Sequence, residues 1–244
     1  MIVLFSCDLN YIIKYFQEYS WVNSHKKLEK ELIKKHRKFI WFSSPGVFVG
    51  NSINLITLIF FTHYYGEQFS GLLAAAIQYL GLLIMMFSSS FAQVYYNEIA
   101  QITDPSKLFK SYTYWLKRLL ILTVVGWGVL ILIPSSILTT ILGEKWAGLM
   151  DTIKIISPWM AVMFIASSLS YIFIRLGKQK EIFFFDIFHL ILIVFALVIG
   201  QYFLKNEIQV LYIVTGMQTV FYILSISLAL KFLLNHLKTT NASD

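Results

Sequence analysis

The chain has 244 residues, of which 57% are hydrophobic and 14% are charged, and its net charge is +7. Soluble globular domains are about one quarter charged, so this composition argues against an ordinary soluble fold and favours a membrane protein. The positive charge does not indicate a nucleic-acid-binding face, because Lys and Arg cluster between apolar runs as they do in cytoplasmic loops. Cys7 is the only cysteine, which excludes disulfides within the chain and cysteine-based metal sites.

The first 38 residues precede the apolar runs. Met1 to Tyr19 is weakly apolar and interrupted by charges, so it is too short and too charged to span a bilayer, and it lacks the basic start of a signal peptide. Ser24 to Lys38 contains seven Lys or Arg and two Glu. We predict that residues 1–38 form an N-terminal remnant or interfacial segment followed by a basic cytoplasmic loop, with an anionic-lipid site as the alternative for the loop.

Six apolar runs are long enough to cross the bilayer, which needs roughly 20 residues of helix. They predict an all-α fold, a polytopic transmembrane bundle of six helices over residues 39–234, with a cytoplasmic tail at 235–244. Asp104-Pro105 predicts the start of a short interfacial helix ahead of the third span. The predicted spans are 39–66, 68–97, 119–143, 155–174, 182–204 and 208–230.

The distribution of Lys and Arg predicts the orientation of the bundle. With the basic loop inside, sixteen Lys or Arg fall on the cytoplasmic side, and only Lys145, Lys154 and Lys205 fall outside. Both termini are therefore expected in the cytoplasm. The outer connections are short and contain no phosphate loop, paired histidines or nucleophile motif, so we expect neither an enzyme nor a bound cofactor or metal.

Five blocks of the sequence resemble one known family. They are FIWFSSPGVFVGNSINL, YYGEQFSGLLAAAIQYL, SSSFAQVYYNEIA, GEKWAGLMDTIKIISPWM and SSLSYIFIRLGKQKE. In order and spacing they resemble the polysaccharide and O-antigen flippases of the multidrug/oligosaccharidyl-lipid/polysaccharide exporter superfamily, over roughly residues 34–218. That resemblance implies a fold of two six-helix halves around a central cavity, of which this chain matches only the second, C-terminal half.

The resemblance also implies a function and its partners. The chain is expected to translocate undecaprenyl-pyrophosphate-linked oligosaccharide across the bacterial inner membrane for O-antigen or capsular polysaccharide biosynthesis, as a fragment or half-transporter. Expected partners are the lipid-linked oligosaccharide, membrane lipids, a separate first-half chain, and polysaccharide polymerase and glycosyltransferases, without nucleic acid. Two alternatives stay open: half of a small-molecule exporter, and a non-transporting membrane subunit or truncated gene product.

Four amide side chains interrupt the first two spans. Asn51 and Asn54 lie three residues apart and so share a helical face, and Gln78 and Gln93 lie on the neighbouring span. They are candidates for a substrate cavity in which amides bond sugar hydroxyls. Bonding between helices that holds the bundle together explains the same pattern, so both interpretations remain open.

Two further pairs are candidate site residues. Asp186 and His189, at i and i+3 on the fifth span, are ion- or proton-coupling candidates, with neutralisation of Asp186 by Arg175 or Lys180 as the structural alternative. Arg175 and Lys178 are candidate contacts for the pyrophosphate, with a cytoplasmic anchor as the alternative. Four tryptophans near predicted span ends are assigned to interfacial belts, namely Trp41, Trp115, Trp146 and Trp159.

Overall fold

The computed structural model describes residues 39–204 and 206–241. The predicted N-terminal remnant and basic loop therefore lie outside the described residues, as does the end of the tail. The described chain contains no strand, which confirms the predicted all-α fold. Its helices are α1 Ser44–Gln101, α2 Pro105–Leu132, α3 Ser136–Leu142, α4 Leu149–Ser168, α5 Tyr171–Arg175, α6 Gln179–Phe203 and α7 Glu207–Asn241, with a π-helical turn at Phe39–Ser43 and a 3-10 turn at Glu144–Trp146.

Helix α1 is interrupted at Gly66. A continuous helix of 58 residues would be nearly three times as long as a bilayer core of about 30 Å is thick. Gly66 has φ 85° and ψ 170°, a conformation that other residues adopt only under strain, so the helix axis changes direction there. The break divides α1 into residues 44–65 and 67–101, which we call α1a and α1b.

Contacts at both ends show that α1a runs parallel to α6. Near the start of α1a, a Cβ placed on Gly46 would lie 3.4 Å from Oδ2 of Asp186, close to the start of α6. Near its end, the hydroxyl of Tyr65 donates a hydrogen bond to Gln201, close to the end of α6.

Helix α1b returns in the opposite direction, alongside α4. Leu72 lies against Gly148 just before α4 begins, and the carbonyl of Ile99 accepts a hydrogen bond of 3.1 Å from Nε of Arg175, the last residue of α5. Because Arg175 is also near the start of α6, α1a and α1b form an antiparallel hairpin. We call the two ends of the bundle the Gly66 end and the Arg175 end.

The remaining helices continue this alternation. Trp115 near the start of α2 donates to Glu98 of α1b at 2.7 Å, and Trp127 further along donates to Ser157 of α4 at 2.8 Å. Helix α7 starts beside the end of α6 at the Gly66 end and reaches the Arg175 end, where the ring of Phe232 lies 6.4 Å from that of Phe173. The described chain therefore crosses the bundle six times, and its first and last residues are at the Arg175 end.

The basic residues of the described chain are concentrated at one end of the bundle. Lys145 and Lys154 lie toward the Gly66 end. Those toward the Arg175 end are Lys107, Lys110, Lys117, Arg118, Arg175, Lys178, Lys180, Lys231 and Lys238. A polarised distribution of this kind is typical of a protein that crosses a membrane repeatedly.

The third crossing differs from its predicted bounds. The third crossing is α2, a single helix that begins at Pro105. The predicted interfacial helix is therefore the first part of α2 and not a separate element. Helix α2 ends at Leu132 rather than continuing to Gly143, because Pro134 has no N–H and forces the preceding Ile133 into an extended conformation. The chain then reaches Gly143 through the short helix α3.

Two apolar cores fill the inside of the bundle. The core toward the Gly66 end includes Phe61, Leu73, Ile153, Trp159, Ile193 and Val210. The core toward the Arg175 end includes Tyr95, Ile99, Tyr112, Ile172 and Leu233. Many large apolar side chains point outward instead, among them Leu120, Ile121, Val124 and Val125 of α2, as expected where hydrocarbon surrounds the protein.

Candidate functional site

A stripe of polar residues runs along the buried side of α7. Thr215, Gln218 and Tyr222 are spaced i, i+3 and i+7, so they share one face of the helix. Thr215 is 5% exposed and Gln218 only 1% exposed. These residues were not among the predicted site residues, although their spacing within a largely apolar run was a usable signal.

His189 of α6 packs directly against this face of α7. Its ring is stacked on Phe221, with the ring centres 3.5 Å apart and the planes inclined by 8°, and it meets Tyr222 edge-on at 5.8 Å. Gln218 is the polar neighbour of the imidazole. The predicted candidate His189 is therefore a fully enclosed residue between α6 and α7.

Four buried polar atoms in this region have no hydrogen-bond partner among the described residues. They are Nε2 of His189, Oε1 of Gln218, Oγ1 of Thr215 and Nε1 of Trp159. Leaving such an atom unpaired costs about 1 to 3 kcal/mol of stability. Clusters of unpaired buried polar atoms therefore occur where the polar side chains serve a function. We call His189, Gln218, Thr215, Tyr222, Trp159 and Asp186 the polar seam.

Trp159 belongs to this seam and not to an interfacial belt. It lies in the middle of α4, is 2% exposed and has Tyr222 as its polar neighbour. The predicted belt position is therefore wrong for Trp159. The error arises because the apolar run starts at Ile155, whereas α4 begins two turns earlier at Leu149.

Asp186 lies one turn before His189 on α6 and faces in a different direction. Its carboxylate lies near Gly46 of α1a, where an added Cβ would be 3.4 Å from Oδ2, and Tyr222 is its electrostatic neighbour on α7. Tyr222 thus stands between the two predicted coupling residues. Among the described residues Asp186 forms no ion pair, so its neutralisation by Arg175 or Lys180, the structural alternative, is not found.

The structure gives Arg175 another partner. Its Nε and Nη2 donate to the carbonyl oxygens of Ile99 and Ile102 at 3.1 and 2.7 Å. These carbonyls belong to the end of α1b, where the last turn of a helix leaves its acceptors unpaired. Arg175 therefore fixes α5 to the end of α1b.

Lys178 forms an ion pair with Glu181 at 2.7 Å, and its ammonium lies 5.1 Å from the ring centre of Phe232. Both groups of the ion pair are well exposed, so it contributes little stability. A pyrophosphate contact at Arg175 or Lys178 stays a prediction.

We expect Arg175→Gln to lower the free energy of unfolding by about 1 to 2 kcal/mol, because it removes two charge-assisted hydrogen bonds at a partly exposed site. A denaturant titration in detergent micelles, followed by helical circular dichroism, measures the change. Lys180→Gln is the matched control, since it removes an exposed charge at the same end of the bundle. Equal stability of the two variants would contradict this role for Arg175.

The four amide candidates occupy different surroundings. Asn51, Gln78 and Gln93 are exposed on the outer surface of the bundle, and Asn54 is half-buried. Asn51 lies fifteen residues before Gly66 and Gln78 twelve residues after it, so on the antiparallel hairpin they reach nearly the same depth. Gln93 lies much closer to the Arg175 end.

Fold and composition together define the class of protein. Within residues 39–204 and 206–241, five continuous helical stretches are long and apolar enough to cross a membrane, and the one that contains α1 folds into two crossings. The chain is thus an all-α, multi-pass membrane protein. In the part that the structure describes, no group of three or more His, Cys, Asp or Glu is placed to hold a metal ion.

Comparisons with family models, curated proteins and solved structures found no match for this chain. The resemblance to polysaccharide flippases therefore rests on the sequence blocks alone.

Proposed function

We propose that this chain is one half of a bacterial inner-membrane flippase that moves undecaprenyl-pyrophosphate-linked oligosaccharide from the cytoplasmic to the periplasmic leaflet. The Arg175 end, which is rich in Lys and Arg, faces the cytoplasm in this proposal, with both termini on that side. The sequence blocks that resemble polysaccharide flippases supply the substrate class and the direction of transport.

The observation that most supports the proposal is the exposure of Asn51 and Gln78 on adjacent crossings. By helix geometry, Gln78 lies about 18 Å along α1b from Gly66, near the middle of a bilayer core of about 30 Å. An unpaired amide in hydrocarbon costs roughly 2 to 7 kcal/mol. Two amides at this depth are more stable facing water or another protein, so the exposed surfaces around Asn51 and around Gln78 are suited to line a cavity.

A cavity wall of this kind fits a glycan substrate. An amide side chain offers two donors and an acceptor oxygen, which complement sugar hydroxyl groups without adding charge. The hairpin provides one wall, and a second six-helix unit would enclose the cavity from the other side. We therefore propose a separate first-half chain as a partner.

The polar seam is the proposed coupling element. It lies within the bundle and reaches from Asp186 through Tyr222 to His189, with Trp159 beside Tyr222. An ionisable residue within a membrane-spanning helix is costly and usually functional. Binding or release of a cation or proton there would alter the packing between α1a, α6 and α7, and so the shape of the half.

Complementation of a strain that lacks its flippase tests the proposal. The chain, co-expressed with a separately encoded first half, is expected to restore surface polysaccharide. The double variant Asn51→Leu/Gln78→Leu is expected to reduce the amount of surface polysaccharide. The amount of the variant protein in the membrane should be unchanged or higher. Gln101→Leu, the same chemical change at the end of α1, is the matched control.

Two results would overturn the proposed function. One is failure of the pair of chains to restore any polysaccharide although both are inserted. The other is full activity of the double leucine variant, which would place these amides outside the transport path.

A further inference from the structure

A groove of about 270 Å³ opens at the Arg175 end of the bundle. It lies between the turn that joins α5 to α6 and the last turns of α7. Its lining residues are Leu176, Lys178, Phe232, Asn235, His236 and Thr239.

The lining combines an apolar part with a polar, cationic part. Leu176 and Phe232 are apolar, and the Lys178 ammonium lies over the Phe232 ring at 5.1 Å from its centre. Lys178 and Asn235 offer N–H donors, and none of the described residues that line the groove is a carboxylate. A ligand that suits these residues is anionic at one end and apolar at the other.

The surroundings of the groove are basic. Lys180 follows Lys178 on the same turn, and Lys231 and Lys238 flank Asn235 on α7. Glu181 is the nearby acidic residue, and its carboxylate is 2.7 Å from the Lys178 ammonium. An anion that enters the groove would therefore compete with Glu181 for Lys178 and would gain from the other lysines.

The apolar part of α7 ends close to this groove. The run without charged residues on α7, predicted to span the membrane, ends at Leu230, so we expect Phe232 and Asn235 at the level of the lipid headgroups. A basic pocket at that level on the cytoplasmic side of a membrane protein suits the phosphate of a lipid headgroup.

We propose that this groove binds the phosphate group of an anionic glycerophospholipid. Lys178 and Asn235 contact the phosphate oxygens, and the start of the acyl chains lies along Leu176 and Phe232. The apolar part of the lining is the reason to assign a lipid and not a free phosphate ion. The site does not depend on the transport function proposed above.

Lipid selectivity of the purified full chain tests this site. The chain is placed in bilayer nanodiscs of phosphatidylcholine that contain spin-labelled phosphatidylglycerol or spin-labelled phosphatidylcholine, and the fraction of immobilised label gives a relative association constant. Lys178→Gln is expected to lower the preference for phosphatidylglycerol about fivefold, the effect of one lysine near a membrane surface. Lys110→Gln removes an exposed charge at the same end but outside the groove, and it should leave most of the preference intact.

A second variant tests the competition with Glu181. Glu181→Gln frees the Lys178 ammonium from its ion pair, so the preference for phosphatidylglycerol is expected to increase. An increase of this kind cannot arise from misfolding, which would lower the selectivity.

Three results would overturn the proposal. The first is an equal preference in Lys178→Gln and Lys110→Gln. The second is displacement of the labelled lipid by inorganic phosphate beyond the effect of sodium chloride at equal ionic strength, which would assign the groove to a soluble anion. The third is selectivity for undecaprenyl pyrophosphate without any for phosphatidylglycerol, which would assign the groove to the transport substrate.

Discussion

Asp186→Asn is expected to abolish export of polysaccharide while the protein remains in the membrane at its normal level. The substitution keeps the size of the side chain, so the close approach of Asp186 to Gly46 is preserved. It removes the only acidic group of the polar seam, and an amide neither ionises nor exchanges a proton at ordinary pH. Surface polysaccharide in the complemented strain and the amount of protein in the membrane are the two measurements.

Asp104→Asn is the matched control for the loss of polysaccharide export expected in Asp186→Asn. Asp104 is exposed at the Arg175 end, where it accepts a hydrogen bond of 2.8 Å from the backbone N–H of Ser106 at the start of α2. Asparagine caps a helix about as well as aspartate, so this variant should export normally. Normal export by Asp186→Asn would exclude a coupling role and leave Asp186 as a packing residue.

Trp159→Ala is expected to lower the free energy of unfolding by about 3 to 5 kcal/mol, the usual cost of removing a large aromatic side chain from a core. Trp159 is 2% exposed and packs in the core toward the Gly66 end. Unfolding in detergent micelles measures the difference. Trp41→Ala is the control, because Trp41 is 64% exposed and should change stability by about 0.5 kcal/mol or less.

Trp159→Phe separates packing from polarity at the same position. Tyr222 is the polar neighbour of the indole N–H, but no described residue is within hydrogen-bond geometry of it, so its removal should add little to the loss of ring volume. We expect a cost of less than about 1.5 kcal/mol, as for other apolar substitutions of similar size. If Trp159→Phe destabilised the protein as much as Trp159→Ala, the N–H would be a necessary part of the polar seam.

Local signals in the sequence were sufficient for several parts of the fold. Asp104-Pro105 predicted a helix start, and α2 begins there with the Asp104 side chain capping the helix. The interruption between the first two runs was predicted near Glu67, and the break is at Gly66. These features depend on the conformational limits of proline and glycine and on capping, which act within a few residues.

The candidate site was only partly predictable. Asp186 and His189 were found because charged and titratable side chains are rare inside apolar runs. Trp159 was wrongly assigned to an interfacial belt, and Gln218 and Tyr222 were not singled out although they share one face of a helix. Only packing brings together α4 and α7, the two helices that contain them.

The sequence alone determined that this chain crosses a membrane, how many times it does so and where the first two crossings turn, because the lengths of apolar runs and the conformational freedom of Gly66 are local properties. The break at Pro134 was missed, since the third crossing was predicted to continue to Gly143. Only the tertiary structure decided which faces point inward. In a soluble protein the apolar face of a helix reveals its orientation, but in a bilayer the lipid side is as apolar as the core. The burial of Trp159, the outward position of Gln78 and the bond from Arg175 to the end of α1b therefore follow from packing between distant segments.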